Sequence, residues 1–177
     1  MYKKYLQFIK EFENNFDDIQ NDYSNLVILC IGTNSIIGDS IGPIIGSNLK
    51  HLENEYLKIY GTMRDTLNFN NAKDVINDIC NNFSKPYIIT IDAALSNRKK
   101  AGEIVLNKGY IKIGKALERS ICFYSNININ CVVGRNLQLK EDNIEELKKV
   151  EKKNIYEMSE IVSLGIENVL RNVNIFV

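Results

Sequence analysis

The stretch Leu26–Gly46, LVILCIGTNSIIGDSIGPIIG, constrains the fold of this chain more than any other segment. It opens with apolar, partly β-branched residues, which is typical of a strand buried on both faces. A glycine-bounded loop follows, and the next apolar-periodic stretch, 43–53, predicts a helix with Pro43 at its first position. The connecting loop carries Asp39, and open α/β sheets place their functional sites in such loops.

A second acid follows a second apolar strand. Residues 86–91 predict a strand that begins at Pro86, and Asp92 comes directly after it. Parallel topology brings the carboxyl ends of strands to one edge, so we expect Asp39 and Asp92 at that edge. Two close carboxylates push their pKa values apart, so that one holds a proton while the other activates water or binds metal. The simpler alternative is that each acid only caps a helix or a turn.

The remaining periodic stretches complete an α/β pattern. Helices are predicted over 3–16, from a cap at Asn70 or Asn71 to about Asn82, and over 140–172. Strands are predicted over 56–60, 103–107 and 127–133. Residues 109–120 are predicted to be irregular. This order favours a mixed, mostly parallel sheet with helices on both faces. We expect a single domain over 1–177, with an N-terminal helical segment over 1–22 and a C-terminal one over 140–172.

Charge and cysteine usage exclude several classes of function. The 177 residues include 22 basic and 22 acidic side chains, a balance that points neither to nucleic acid nor to an anionic membrane. No apolar run approaches the roughly 20 residues of a membrane span, and the amphipathic N-terminal segment lacks the pattern of a signal peptide, so we expect a cytoplasmic protein. The four cysteines form no CxxC pair, and the apolar surroundings of Cys30 and Cys131 predict buried, reduced thiols.

Two other motif interpretations are weak. Gly38–Gly42 matches G-x-S-x-G, but six residues separate it from the strand, and His51 is the only histidine that could activate Ser40. A phosphate site at the start of the helix is the other possibility. The chain contains neither a Walker A nor a G-x-G-x-x-G pattern, and Asp39 would repel a phosphate there.

These motifs together resemble the YyaC-type sporulation proteins, which occur in spore-forming Firmicutes and are described as spore proteases. The resemblance extends from about residue 24 to 134, and the residues that carry it are Cys30-Ile31-Gly32-Thr33, Gly38-Asp39-Ser40-Ile41-Gly42-Pro43, Tyr60-Gly61-Thr62 and Ile91-Asp92-Ala93. The family is similar in fold to hydrogenase maturation endopeptidases and to the germination protease that degrades small acid-soluble spore proteins. The resemblance therefore implies a three-layer α/β/α fold around a twisted sheet.

The same resemblance implies roles for the two acids. Asp39 and Asp92 fall where the maturation endopeptidases have their two metal-binding carboxylates, and two aspartates are held to perform the cleavage in the germination protease. The histidine that completes the nickel site of the maturation enzymes is absent here, because Asn128 stands in its place. Asparagine is a poor nickel ligand, so we predict no bound metal and no cofactor.

The sequence thus predicts a sporulation-associated endopeptidase whose catalytic acids are Asp39 and Asp92. Supporting hydrogen bonds are expected from Asn34, Ser40 and Asn128. The expected partner is a protein or peptide substrate, with no role for nucleic acid or a membrane.

Two alternatives stay open beside this prediction. The chain could be an inactive, peptidase-like binding or regulatory protein of sporulation, or, with less support, a small-molecule hydrolase or transferase that uses the same sheet edge. The basic run Arg98–Lys100 is predicted as a solvated loop, with the alternative that it receives a peptide carboxylate.

Overall fold

The fold comes from a computed structural model, in which residues 1–16, 23–113 and 121–173 are described. The helices are α1 (Tyr2–Phe16), α2 (Ile41–Leu49), α3 (Ala72–Asn82), α4 (Lys140–Lys148) and α5 (Lys152–Val173). The strands are β1 (Asn25–Cys30), β2 (Leu57–Tyr60), β3 (Pro86–Leu95), β4 (Ile104–Ile113) and β5 (Ile121–Gly134). Two 3₁₀ turns, Ile37–Asp39 and Lys50–Leu52, flank α2. The predicted order of strands and helices is confirmed.

The five strands form one sheet in the order β2-β1-β3-β5-β4. The pairs β1–β2, β1–β3 and β3–β5 are parallel, and only β4–β5 is antiparallel. The predicted α/β fold with a mixed, mostly parallel sheet is therefore confirmed. Strand β1 lies at the centre of its parallel part and is buried on both faces, which explains its unbroken apolar run.

Helices cover both faces of the sheet. The aromatic side chains of α1 and the apolar stripe of α5 pack with α2 against one face, where they form the larger core. Helix α3 covers the opposite face through Ala72, Val75 and Ile79. The buried residues that form these stripes are Phe8, Phe12 and Phe16 on α1 and Ile155, Met158, Val162, Ile166 and Val169 on α5.

Tertiary pairing lengthens three strands beyond their predicted ends. Strand β3 continues through Asp92 to Leu95 because these residues pair with β5. The prediction that Asp92 follows its strand is therefore wrong, and the residue lies inside the sheet. The prediction of irregular structure is also wrong for 109–113, which belong to β4; residues 114–120 lie outside the described part. A register shift between Asn107 and Gly109 breaks the alternation of side chains there, so the sequence pattern does not predict the strand.

The helix boundaries also differ in detail. Helix α2 begins at Ile41, so Pro43 is its third residue and not its first; the position tolerates proline because the first four helical N–H groups have no partner within the helix. Asn71 is the N-cap of α3, but its side chain makes no capping bond and instead donates to the Thr66 carbonyl, 2.7 Å away. The C-terminal helical segment is two helices, α4 and α5, and the predicted N-terminal segment over 1–22 is helical to Phe16, with 17–22 outside the described residues.

Two further features concern the cysteines and the length and polarity of the helices. Cys30 and Cys131 are buried and free, as expected, whereas Cys80 and Cys122 are free and exposed. Within the described ranges, the helices are too short or too polar to cross a membrane.

Candidate active site

The loop between β1 and α2 is held closed by its own backbone. The Thr33 N–H donates to the Asp39 carbonyl at 3.1 Å, and the Gly32 N–H donates to the Leu67 carbonyl at 2.8 Å. Gly32 has a φ of +145°, and a Cβ atom there would lie 2.0 Å from the Asp39 carbonyl oxygen. Glycine is needed at this position because the backbone that carries Asp39 occupies the space of a side chain.

Asp39 closes the 3₁₀ turn Ile37–Asp39, and its side chain is half-buried. Burial raises the pKa of the Asp39 carboxyl to about 6, while hydrogen bonds from the backbone and the side chain of Thr33 partly oppose that rise. The carboxyl group thus changes its protonation state within the range in which general acids and bases operate. Asp39 does not cap α2, because the N-cap residue of that helix is Ser40.

Asp92 lies on β3, level with Asn130 on β5, and both side chains are half-buried. The end of β1 lies beside it, since the Ile31 N–H donates to the Ile91 carbonyl at 2.7 Å. The 3₁₀ turn that ends in Asp39 contacts β3. The fold therefore brings the segment that carries Asp39 against the strand that carries Asp92.

Ser40 is a structural residue of the turn. Its side chain is 3% exposed, and its hydroxyl donates to the Ile37 carbonyl at 2.8 Å. His51 lies in the 3₁₀ turn at the far end of α2, about 15 Å away by the rise of a helix. The imidazole of His51 instead contacts the Asn48 carbonyl and the Glu167 carboxylate, so the geometry supports no serine–histidine pair.

The two predicted supporting amides are engaged elsewhere. Asn34 is exposed and donates to the Met63 carbonyl at 3.1 Å, which ties the loop after β1 to the segment after β2. Asn128 is buried; its Oδ1 accepts the Thr90 hydroxyl at 2.6 Å and its Nδ2 donates to the Gly109 carbonyl at 3.1 Å. Both bonds join neighbouring strands, so the amide of Asn128 stabilises the sheet.

Sequence reasoning missed two residues at this site. Asn130 is level with Asp92, and its side chain makes no hydrogen bond to the described residues. Thr33 supplies the donors to the Asp39 carboxylate. The only sequence signals were the alternation Asn126-Ile127-Asn128-Ile129-Asn130, which places three asparagines on one face, and the position of Thr33 directly after the Gly32 turn.

The donor set does not fit the nickel site that the resemblance implies for the maturation enzymes. Over the described residues, no three His, Cys, Asp or Glu side chains gather into a possible metal site. The amide oxygen of Asn128 already accepts a hydrogen bond from Thr90.

Comparison with known proteins identifies the relatives of this chain. The model of a family described as "Protein of unknown function (DUF1256)" matches residues 1–165. The uncharacterized protein YyaC of Bacillus subtilis is 34% identical over 108 residues, which are 61% of this chain and 53% of YyaC. The matched segment thus spans about half the length of that relative.

Two solved structures share a distant similarity of fold. The [NiFe] hydrogenase maturation protease HycI from Thermococcus kodakarensis superimposes with a TM-score of 0.46 at 15% identity, over 85% of this chain and 97% of that one. The hydrogenase maturating endopeptidase HybD from E. coli gives a TM-score of 0.48 at 14% identity, over 85% and 94% of the two chains. Similarity at this level does not assign an activity. With the family model matching nearly its whole length, the chain belongs to the DUF1256 family of proteins of unknown function.

Proposed function

We propose that this protein is a peptidase-like hydrolase of sporulation that cleaves a protein substrate with Asp39 and Asp92. One observation carries the proposal: a half-buried carboxyl with a pKa of about 6 closes a turn that lies against the strand bearing a second acid. Two nearby carboxyl groups whose pKa values differ are a known arrangement for acid–base hydrolysis.

Within this proposal Asp39 is the general acid. Its raised pKa leaves about half of these carboxyl groups protonated near pH 6, so the group can donate to the peptide carbonyl or to the leaving amine. Asp92 is the general base, which takes a proton from the attacking water. The amide of Asn130 lies level with Asp92 and can orient that water by a hydrogen bond.

The biological setting follows from the resemblance to YyaC-type sporulation proteins. The proposed substrate is a protein that the enzyme meets in the cytoplasm during spore formation or germination. The four free cysteines are compatible with a reducing compartment.

The test is a cleavage screen on proteins extracted from Bacillus subtilis spores. Purified wild-type protein is compared with Asp39→Asn and Asp92→Asn, and with Asp65→Asn as a control that removes an exposed carboxylate. Wild type and Asp65→Asn should release the same fragments, and each catalytic variant should slow their release by about 100-fold or more. Absence of cleavage by wild type, or equal cleavage by all four proteins, would overturn the proposal.

A second function, a binding or regulatory protein without catalysis, is favoured by one observation. Asn128, which the resemblance places where the maturation enzymes have a histidine, uses its amide for hydrogen bonds between strands and therefore has a structural role. In that case Asp39→Asn and Asp92→Asn would alter partner capture or stability, and wild type would release no fragments.

A further inference from the structure

A basic groove lies beside the proposed catalytic acids. It encloses about 770 Å³ between the loop after β3, the end of β5 and the junction of α4 and α5. Five basic side chains line it, Arg98, Lys99, Lys100, Arg135 and Lys149, against two acidic ones, Glu146 and Glu151. The lining therefore carries an excess of three positive charges in a chain whose net charge is zero.

The loop that carries three of these charges is held in place at both ends. The Ser96 N–H donates to the Gly134 carbonyl at 3.0 Å, and the Gly102 N–H donates to the Val132 carbonyl at 2.8 Å. Inside the loop, the Ser96 hydroxyl accepts the backbone N–H groups of Arg98 and Lys99 at 3.2 and 3.0 Å. The cations thus stand on an ordered turn, which lowers the entropic cost of binding a ligand.

The groove adjoins the segments that carry the proposed catalytic acids. Val150 lines it, and a Cβ atom on Gly38, the neighbour of Asp39, would lie 3.0 Å from the Val150 side chain. Ser96, which also lines the groove, is four residues beyond Asp92 along the chain, a span of at most about 13 Å by the rise of a strand. That length corresponds to three or four residues of an extended peptide.

We propose that this groove binds an acidic segment of the protein substrate, three or four residues from the bond that is cleaved. This inference rests on the proposed function for the position of that bond. The carboxylates of the segment would pair with Arg98, in the loop after β3, and Arg135, directly after β5, while its small or apolar side chains would lie on Val133 and Val150.

The lining favours a peptide over a nucleic acid. Single-stranded nucleic acid is held by aromatic side chains on which bases stack, and the described lining contains none. Glu146 also lines the groove, where its Oε1 accepts the Arg135 backbone N–H at 3.2 Å, and its carboxylate would repel a continuous phosphate backbone.

The test measures binding apart from cleavage. A short fluorescein-labelled peptide that alternates glutamate with serine is titrated by fluorescence anisotropy into wild type and into Asp39→Asn. The groove variant is Arg98→Glu with Arg135→Glu, and the matched control is Lys73→Glu with Lys112→Glu, which makes the same charge change at exposed sites outside the groove. Circular dichroism melts verify that all four proteins are folded.

The proposal expects saturable binding that weakens with added salt, with Kd raised about tenfold or more in the groove variant and less than about twofold in the control. Three results would overturn it: no binding of the peptide at low salt, equal losses in both charge variants, or tighter groove-dependent binding of a single-stranded oligonucleotide. Peptide binding in Asp39→Asn without any cleavage by wild type would remove the proposed function and leave the groove proposal standing. Cleavage by wild type at a rate that does not depend on acidic residues near the cleaved bond would support the proposed function and overturn the groove proposal.

Discussion

Asp92 on β3 and Asn130 on β5 stand level with each other on adjacent parallel strands, and both side chains are half-buried. Two residues earlier, Thr90 and Asn128 form the next level of the same face and are buried, with their side chains joined at 2.6 Å. On this face of the sheet, a buried pair that is hydrogen-bonded is therefore followed two residues later by a pair that solvent reaches. The accessible pair is where chemistry is possible.

The two asparagines should differ in their effect on stability. Asn128→Ala would remove the acceptor of the Thr90 hydroxyl and the side-chain donor to the Gly109 carbonyl, which costs about 1–3 kcal/mol of unfolding free energy. Asn130→Ala removes an amide that makes no hydrogen bond to the described residues, so we expect a change within about 0.5 kcal/mol. Urea unfolding measures both values; equal losses would contradict this assignment of roles.

The raised pKa of Asp39 predicts a pH-dependent stability. The folded protein holds the Asp39 proton up to about pH 6, whereas the unfolded chain releases it near 3.8. Folding therefore binds a proton between these values, and the stability that the neutral carboxyl contributes is present below pH 3.8 and lost as pH rises through 6. The full difference is about 3 kcal/mol at 1.36 kcal/mol per pKa unit.

The variant Asp39→Asn isolates this effect because its amide stays neutral. Its unfolding free energy, relative to wild type, should rise between pH 5 and pH 8 by about 1–3 kcal/mol. The comparison with Asp65→Asn, an exposed carboxylate, removes contributions common to any lost charge. A difference between Asp39→Asn and wild type that stays flat with pH would contradict the raised pKa.

The pH dependence of cleavage should follow the same group. If Asp39 is the general acid, the rate falls tenfold per pH unit well above about pH 6, as the carboxyl loses its proton. Rates are measured on the first substrate fragment that the spore-extract screen identifies. A rate that increases through this range would assign Asp39 the role of base and contradict its role as acid.

The tight turn at Gly32 gives a test of the loop geometry. Gly32→Ala would place a Cβ atom 2.0 Å from the Asp39 carbonyl oxygen, at a φ of +145°. Gly109→Ala shares the strained conformation, with a φ of +110°, but meets no described atom within 4 Å. We expect a loss of about 2–4 kcal/mol for the first and about 1–2 kcal/mol for the second, because overpacking adds to backbone strain only at Gly32. Urea unfolding of the two variants measures the difference. Similar losses of unfolding free energy would show that the loop moves to accommodate the added Cβ atom.

The sequence was sufficient for the architecture because most elements show a clear period. The apolar run of β1 and the apolar stripe on α5 can each be read from a short stretch of sequence. Both are buried in the structure, so pattern and structure agree. Strand ends depend on partners that are distant in sequence. Asp92 belongs to β3 only because β5 pairs beyond it, and the Gly109 irregularity hides the last residues of β4.

The site was predictable only as a set of candidates. Three asparagines alternate along β5, and nothing in their own sequence tells which of them is level with Asp92; the register with β3 decides it. The hydrogen bonds that occupy Asn128, and the donors that Thr33 offers to Asp39, likewise come from residues that the fold brings together.

A double-variant cycle on the cleavage rate shows whether Asp39 and Asp92 act as one catalytic unit. Residues that act together are not additive: Asp39→Asn and Asp92→Asn should each lower the rate by about 100-fold or more, and the double variant should be no slower than the slower single variant. A single variant that keeps the wild-type rate, or losses that multiply in the double variant, would contradict the account.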